Sequence, residues 1–313
     1  MTENNKILQV FIPATPKGGV GKSITTINLA EACARRGKKV LVIDADAQGN
    51  ASLALGAPKS TWPKAMCLWE VILGLPGGDI TKLIRPSNRN NSKGKLTLDL
   101  VPSSLQLQQL DIGLMQAVAI TTLKRVTTDL QQFGRLTCEE GELVLQVTNQ
   151  VYSNLANAIK PLREQYDLIF LDCAPGYGTH TISAILAADC IMTPMDCSMW
   201  SYEALKDASR QIKALIEHMD RPIQNIGIVK SRFRETKQHR LGETWIESLN
   251  PFETRIWERI AISAASGQAQ SRWEWKGADQ SIAEFENLAE EFLLRIAALK
   301  DPQNTEHQPQ TPT

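Results

Sequence analysis

Seven consecutive residues, Lys17-Gly18-Gly19-Val20-Gly21-Lys22-Ser23, constrain this chain more than anything else in it. They stand between a short apolar run, Ile7 to Ala14, and a stretch from Ser23 to Arg36 whose Ile24, Ile27, Leu29 and Ala32 give a helical apolar face until Gly37 stops it. Strand, glycine turn and helix in that order make a cradle for phosphate. Glycines let successive backbone N–H groups curl around the oxygens, and the helix N-terminus adds positive potential. Lys22 would reach the β and γ phosphates and the Ser23 hydroxyl would ligate Mg²⁺. As an accidental glycine turn, such a string would arise in a chain of this length with odds on the order of one in 10⁴.

Further strands are predicted at Lys39 to Asp44, Leu96 to Val101, Asp167 to Asp172, Cys190 to Met195 and Asn225 to Val229, mostly continuous apolar runs separated by helical stretches. Such runs suit strands buried on both faces, so the fold class is α/β: a doubly wound, mostly parallel sheet with helices on both faces. Pro58 to Lys95, rich in turn formers, is expected to be a loop-and-helix excursion. Residues 106–160 are expected to form a helical insertion on one edge. Residues 1–300 then make one domain, followed by a disordered tail over 301–313 that has no apolar residue to bury.

Charge excludes a simple electrostatic partner. Thirty-four Lys+Arg balance thirty-four Asp+Glu, so no overall basic field holds the chain on nucleic acid or an anionic membrane, and any such contact must be a local patch. The six cysteines lack a CxxC pair, and no segment approaches the roughly 18 apolar residues of a membrane span. The expected location is the cytoplasm.

The common phosphate-loop pattern GxxxxGK[ST] wants glycine where this chain has Pro16, and Lys17 follows it. This variant is the deviant Walker A loop, and the chain resembles the ParA/MinD family of P-loop ATPases. Asp44 to Asn50 (DADAQGN) and Leu171 to Gly176 (LDCAPG) look like its ParA branch. The resemblance implies ATP and Mg²⁺ as cofactors and a homodimer that sandwiches nucleotide. In that dimer Lys17 reaches the phosphates bound by the partner, as an arginine finger does. It further implies that Asp44 aligns the attacking water with Asp46 supporting the Mg²⁺ shell, and that Asp172, at a strand end, holds Mg²⁺ through water. The nucleotide contacts become Gly18, Gly19, Val20, Gly21, Lys22, Ser23 and Ile24. The family often has a second hydroxyl at the last of these, so Ile24 leaves that contact to its backbone. Lys17, Lys22 and Asp44 become the catalytic set, and Ser23, Asp44 and Asp172 the metal set.

In the ParA branch the ATP-bound dimer binds DNA nonspecifically, and a cargo-bound, ParB-like protein stimulates hydrolysis. The stretch KSRFRETKQHR offers Lys230, Arg232, Arg234, Lys237 and Arg240 to phosphate. A second stretch offers Lys82, Arg85, Arg89, Lys93 and Lys95. The family's other DNA-contacting segment corresponds to Ile256 to Ala265, where only Arg259 is basic. A MinD-like membrane switch would need a basic amphipathic C-terminal helix, but Asp279 to Lys300 carries Glu284, Glu286, Glu290 and Glu291 on its polar face and is expected to pack on the sheet. The overall expectation is a slow, partner-stimulated ATPase, nucleoid-associated when bound to ATP, that partitions a plasmid, chromosome or other cargo. The alternatives are the membrane switch and a ParA-like positioner of a protein cargo.

Overall fold

The computed structural model describes residues 10–13, 17–62, 67–92, 94–135, 140–176, 178–217, 223–259 and 269–299. Along the chain, β1 (Val10–Pro13), α1 (Lys22–Arg35), β2 (Val40–Ala45) and α2 (Asn50–Ala54) come first. They are followed by α3 (Leu68–Leu73), β3 (Arg85–Pro86), the small hairpin of β4 (Asn90–Asn91) and β5 (Gly94–Lys95), and β6 (Leu98–Val101). Two long helices, α4 (Leu110–Phe133) and α5 (Glu140–Ile159), lead to β7 (Leu168–Cys173), α6 (Thr179–Ala187) and β8 (Cys190–Met195). Then come α7 (Met199–Glu217), β9 (Gln224–Phe233), α8 (Lys237–Ile246), β10 (Pro251–Trp257) and a last helix, α9 (Asp279–Leu299).

One eight-stranded sheet runs in the order β10-β9-β8-β1-β7-β2-β6-β3, parallel throughout except where β3 pairs antiparallel with β6 at the edge. Every residue of β2, β7 and β8 is buried, which is why these strands are continuous apolar runs and not alternating ones. Successive side chains go to opposite faces. Val40, Val42, Leu168 and Phe170 join α1 and α9 on one face, where Phe170 and Phe292 meet with ring centroids 5.7 Å apart. Leu41, Ile43, Ile169 and Leu171 meet α3, α5 and α6 on the other.

The strand and helix expectations fall on observed elements, with three corrections. Residues 106–160 are not an edge insertion: α5 buries Val151, Leu155 and Ile159 against the sheet as part of the crossover from β6 to β7. Strand β10 was not anticipated, because PFETRIW alternates buried Phe252 and Ile256 with exposed Glu253 and Arg255, as an edge strand does. The segment expected at Ile256 to Ala265 therefore begins in β10, and residues 260–268 lie outside the described set, as do 7–9, 14 and the tail from 300. Third, the acids of α9 do more than face water. Glu284 accepts from the Trp257 amide (3.1 Å) and Glu291 from the Glu253 and Thr254 amides (2.8 and 3.1 Å), so they secure β10. No helix among the described residues is long and apolar enough to cross a membrane.

Candidate nucleotide-binding site

Strands β1, β7 and β2 end side by side at their carboxyl edges. The chain leaves β1 toward β2 on one side and leaves β7 toward β8 on the other, so the connections diverge and open a crevice where ligands of open α/β sheets bind. The loop from Lys17 to Gly21 lies at this point and runs into α1, whose N-cap Gly21 is left-handed. Gly19 and Gly21 have φ of 76° and 88°, which side chains other than glycine rarely tolerate. Two loop carbonyls are tied to the end of β9: Val20 O accepts from Ser231 Oγ (2.6 Å) and Gly19 O accepts from Arg232 Nη1. In a trans peptide the next N–H points opposite to the carbonyl, so this tether turns the Val20 and Gly21 amides away from β9. The first helical amides, Lys22 to Ile24, have no partner within α1 and are available to an anion. The Ile24 side chain packs against the core, so its backbone is what it offers.

Lys22 is buried and donates to Lys17 O (3.1 Å). Burial lowers its pKa, while Asp172 and Asp46 work in the opposite direction. Asp44 and Asp172 are paired in register across β2 and β7, and both are fully buried. Asp44 is locked: Oδ2 accepts from Ser52 N (2.6 Å) and Ser52 Oγ (2.7 Å), and Oδ1 accepts from Asp46 N (3.2 Å). Ser52 Oγ in turn accepts from Ser103 N (2.8 Å), just beyond β6. Neither serine was expected from sequence, since no motif links residues 8 and 59 positions past Asp44 in one fold-specific chain of hydrogen bonds. Asp44 Oδ1 keeps a lone pair with which a water could be oriented.

Asp172 differs. Both of its oxygens are buried without a hydrogen-bond partner among the described residues. Burial, and then the Asp44 carboxylate one strand over, push its pKa well above the usual carboxylate range, with Ser23 and Lys22 opposing. A buried carboxylate whose oxygens have no hydrogen-bond partner among the described residues, beside a serine hydroxyl and a lysine, is a hard-oxygen donor set with a cation for phosphate next to it, so these residues fit Mg²⁺.

Lys17 lies across the mouth. Its ammonium donates to Asp196 Oδ2 (3.0 Å), Ser198 Oγ (3.1 Å) and Ser201 Oγ (2.9 Å), in the turn that starts α7. The two serines and Lys17 together hold the Asp196 pKa down to about 2 against its burial.

Residues 11–272 match the CobQ/CobB/MinD/ParA nucleotide binding domain. The chain belongs to that family. Its relatives place it in the ParA branch. It is 27% identical over 213 residues to the sporulation initiation inhibitor protein Soj of Bacillus subtilis, covering 68% of each chain. To the chromosome partitioning protein ParA of Myxococcus xanthus it is 28% identical over 254 residues, covering 80% of this chain and 74% of that one. In fold it resembles apo McdA of Cyanothece, with a TM-score of 0.69 and 21% identity over 91% of this chain and 99% of that one.

On this ParA-type scaffold the expected DNA-contacting residues do not form a free basic stripe. Lys230 is inside β9, buried and 3.6 Å from Glu243, so it is corrected from a surface residue to an interior one. Arg232 takes a left-handed φ of 49° and braces the phosphate loop, while it and Arg234 share Glu258. Arg240 is paired with Glu235, and Lys237 is exposed in the first turn of α8. In the second stretch Arg89 is 2% exposed and paired with Glu31, and Lys93 is outside the described residues.

The buried aspartate pair has a measurable consequence. Burial raises the Asp44 pKa from 3.8 to about 7, so the folded chain binds protons more tightly than the unfolded one between those values. Unfolding free energy from this pair therefore falls as pH rises through that window. His180 and His239, whose pKa values are lowered chiefly by burial, contribute with the opposite sign in wild type and variant alike, so the pair is read from the comparison: Asp172→Asn is expected to raise the pH 8 midpoint above that of wild type and to lessen the loss between pH 6 and pH 8. Thermal unfolding of both proteins at the two values checks this; a variant that melts lower at pH 8 would contradict it.

Proposed function

We propose that this chain is a Mg²⁺-dependent ATPase switch. It pairs with a second copy around ATP, binds DNA without sequence preference in that state, and uses partner-stimulated hydrolysis to partition or position a cargo. The observation that carries the reading is the gathering of Lys22, Ser23 and the orphaned Asp172 carboxylate at the phosphate loop, with Lys17 at its mouth. Bound Mg²⁺ would neutralise phosphate charge between Ser23 and Asp172. Lys22 holds the β and γ phosphates, the loop amides hold the remaining oxygens, and Asp44, fixed by Ser52, orients the attacking water.

Lys17 has to leave Asp196, Ser198 and Ser201 to reach phosphates in the second copy. Lys17→Ala is expected to keep ATP affinity but to lower single-turnover hydrolysis by about 10³-fold, the scale of a missing arginine finger. Wild-type turnover in that variant would refute the role.

The relatives named Soj and chromosome partitioning ParA support the partition reading. With zero formal net charge, DNA contact rests on the local group of Arg234, Lys237 and Arg240, doubled in the dimer, and the active form sits in the cytoplasm on the nucleoid. Fluorescence anisotropy of a random-sequence duplex, with ATP, with ADP and without nucleotide, tests it. Binding with ATP alone that weakens as salt rises is the expected result. Absence of binding in every state withdraws the DNA reading and leaves the ATPase standing.

A further inference from the structure

The helical hairpin of α4 and α5 is not used by the nucleotide site, and it carries the largest run of exposed apolar side chains among the described residues. On α4 these are Ile112, Met115, Ile120, Leu123, Leu130 and Phe133, from 51% to 74% exposed, with Val144 and Leu145 of α5 at 42% and 60%. Their exposures are equivalent to somewhat under five whole side chains, which at roughly 60–120 Å² of apolar area each open on the order of 400 Å² to water. That is the size of the largest patch on a typical monomer, roughly 300–600 Å² and often functional, and about half of the roughly 800 Å² that each partner contributes to a standard interface, the rest of which α5 and the groove would supply. Between the helices runs a groove of 630 Å³ lined by Met115, Ala119, Leu123, Val126, Val144 and Thr148, among others.

The pattern on α4 is more specific than a patch. Ile112, Gln116, Ala119, Leu123, Val126, Leu130 and Phe133 are spaced 4, 3, 4, 3, 4, 3, the seam of a coiled coil, and six of the seven are apolar. Flanking positions decide partner choice in such seams. Here they are Gly113, Met115, Ile120, Thr122, Thr127, Asp129 and Gly134. Only Asp129 is charged, and it is buried and paired with Arg125 within α4. Lys124 and Arg125 fall on the outer positions, away from the seam. Nothing on the flanks repels an identical helix or selects a charged foreign one. An antiparallel copy also matches the sizes: Leu123 meets Val126 of the second copy, Ala119 meets Leu130, and Gln116 meets Phe133.

We propose that α4 is a second self-association surface, on which two copies pair antiparallel, with α5 of each closing a four-helix bundle around the groove. This pairing is separate from the one around ATP and needs no nucleotide. Two different two-fold contacts on one chain extend the assembly beyond a dimer when both operate.

Sedimentation velocity of the full nucleotide-free chain at up to ~100 µM tests it. The expected result is a reversible dimer that Leu123→Glu dissociates by at least tenfold in Kd, with ATP affinity kept as the sign of an intact fold. Leu123→Glu mixed with Val126→Lys should pair again, because the two new charges face each other only across this seam. A wild type that stays monomeric overturns the proposal, including one that instead takes up an added amphipathic helical peptide. So does a Leu123→Glu variant that remains dimeric, or a mixture of two ATP-binding variants that fails to re-pair. None of these outcomes depends on the ATP-driven dimer, which is read from the same runs repeated with nucleotide.

Discussion

Lys22→Ala is expected to remove measurable nucleotide binding. The ammonium is the cation inside the phosphate loop, buried and aimed along it by its bond to Lys17 O. Two charge-assisted hydrogen bonds to phosphate, at about 1.5–3 kcal/mol each, correspond to a loss of roughly 10² to 10⁴ in affinity. The change should leave the fold in place, because in the ligand-free chain burial already disfavours the charged lysine. Titration with a fluorescent ATP analogue, alongside a thermal melt, separates the two effects. ATP binding within a few-fold of wild type would remove the phosphate-loop assignment itself.

Glu31→Ala is expected to be the most destabilising single change away from the site. Glu31 sits on α1 with no exposure and accepts from Arg35 Nε (3.1 Å) and Nη2 (2.7 Å) and from the Ser271 hydroxyl. Its other oxygen lies 2.9 Å from Arg89 Nε. Arg89 is itself buried and also donates to Ala54 O (2.7 Å), so the cluster ties the helix that carries the phosphate loop to the segment after α2 and to residues 271–272. Removing one member of a buried ion pair leaves the other uncompensated and costs about 3–5 kcal/mol. Urea unfolding should show that loss, and Glu31→Ala with Arg89→Ala should return part of it, since the stranded charge goes too. A loss below ~1 kcal/mol would mean that the cluster behaves as an exposed salt bridge.

Local chemistry made the nucleotide site legible. Lys17 to Ser23, Asp44 and Asp172 lie at the ends of short apolar strands, and a strand end followed by a glycine turn and a helix has few ways to fold. The central strands β2, β7 and β8 were legible for a similar reason, since burial on both faces makes them continuous apolar runs. Strand β10 was hidden because an edge strand alternates Phe252 and Ile256 with charged residues. The crossover role of α5 was hidden because its seven-residue-scale pattern names a helix but not the surface it meets.

By itself, the sequence determined that a glycine turn between a strand and a helix opens a parallel α/β sheet, that two carboxylates stand on neighbouring strands of it, and that the last helix has one apolar face. These follow from backbone conformation and side-chain periodicity within a few residues. Tertiary structure alone decided that Ser52 and Ser103 lock Asp44, that the Asp172 oxygens are buried with no hydrogen-bond partner among the described residues, and that Lys17 is held by Asp196, Ser198 and Ser201. It also turned Lys230 and Arg89 from apparent surface cations into buried halves of ion pairs. Whether a charge meets water or a carboxylate depends on residues 13 and 58 positions away that the chain brings beside it only on folding, and that proximity is not encoded in any local pattern.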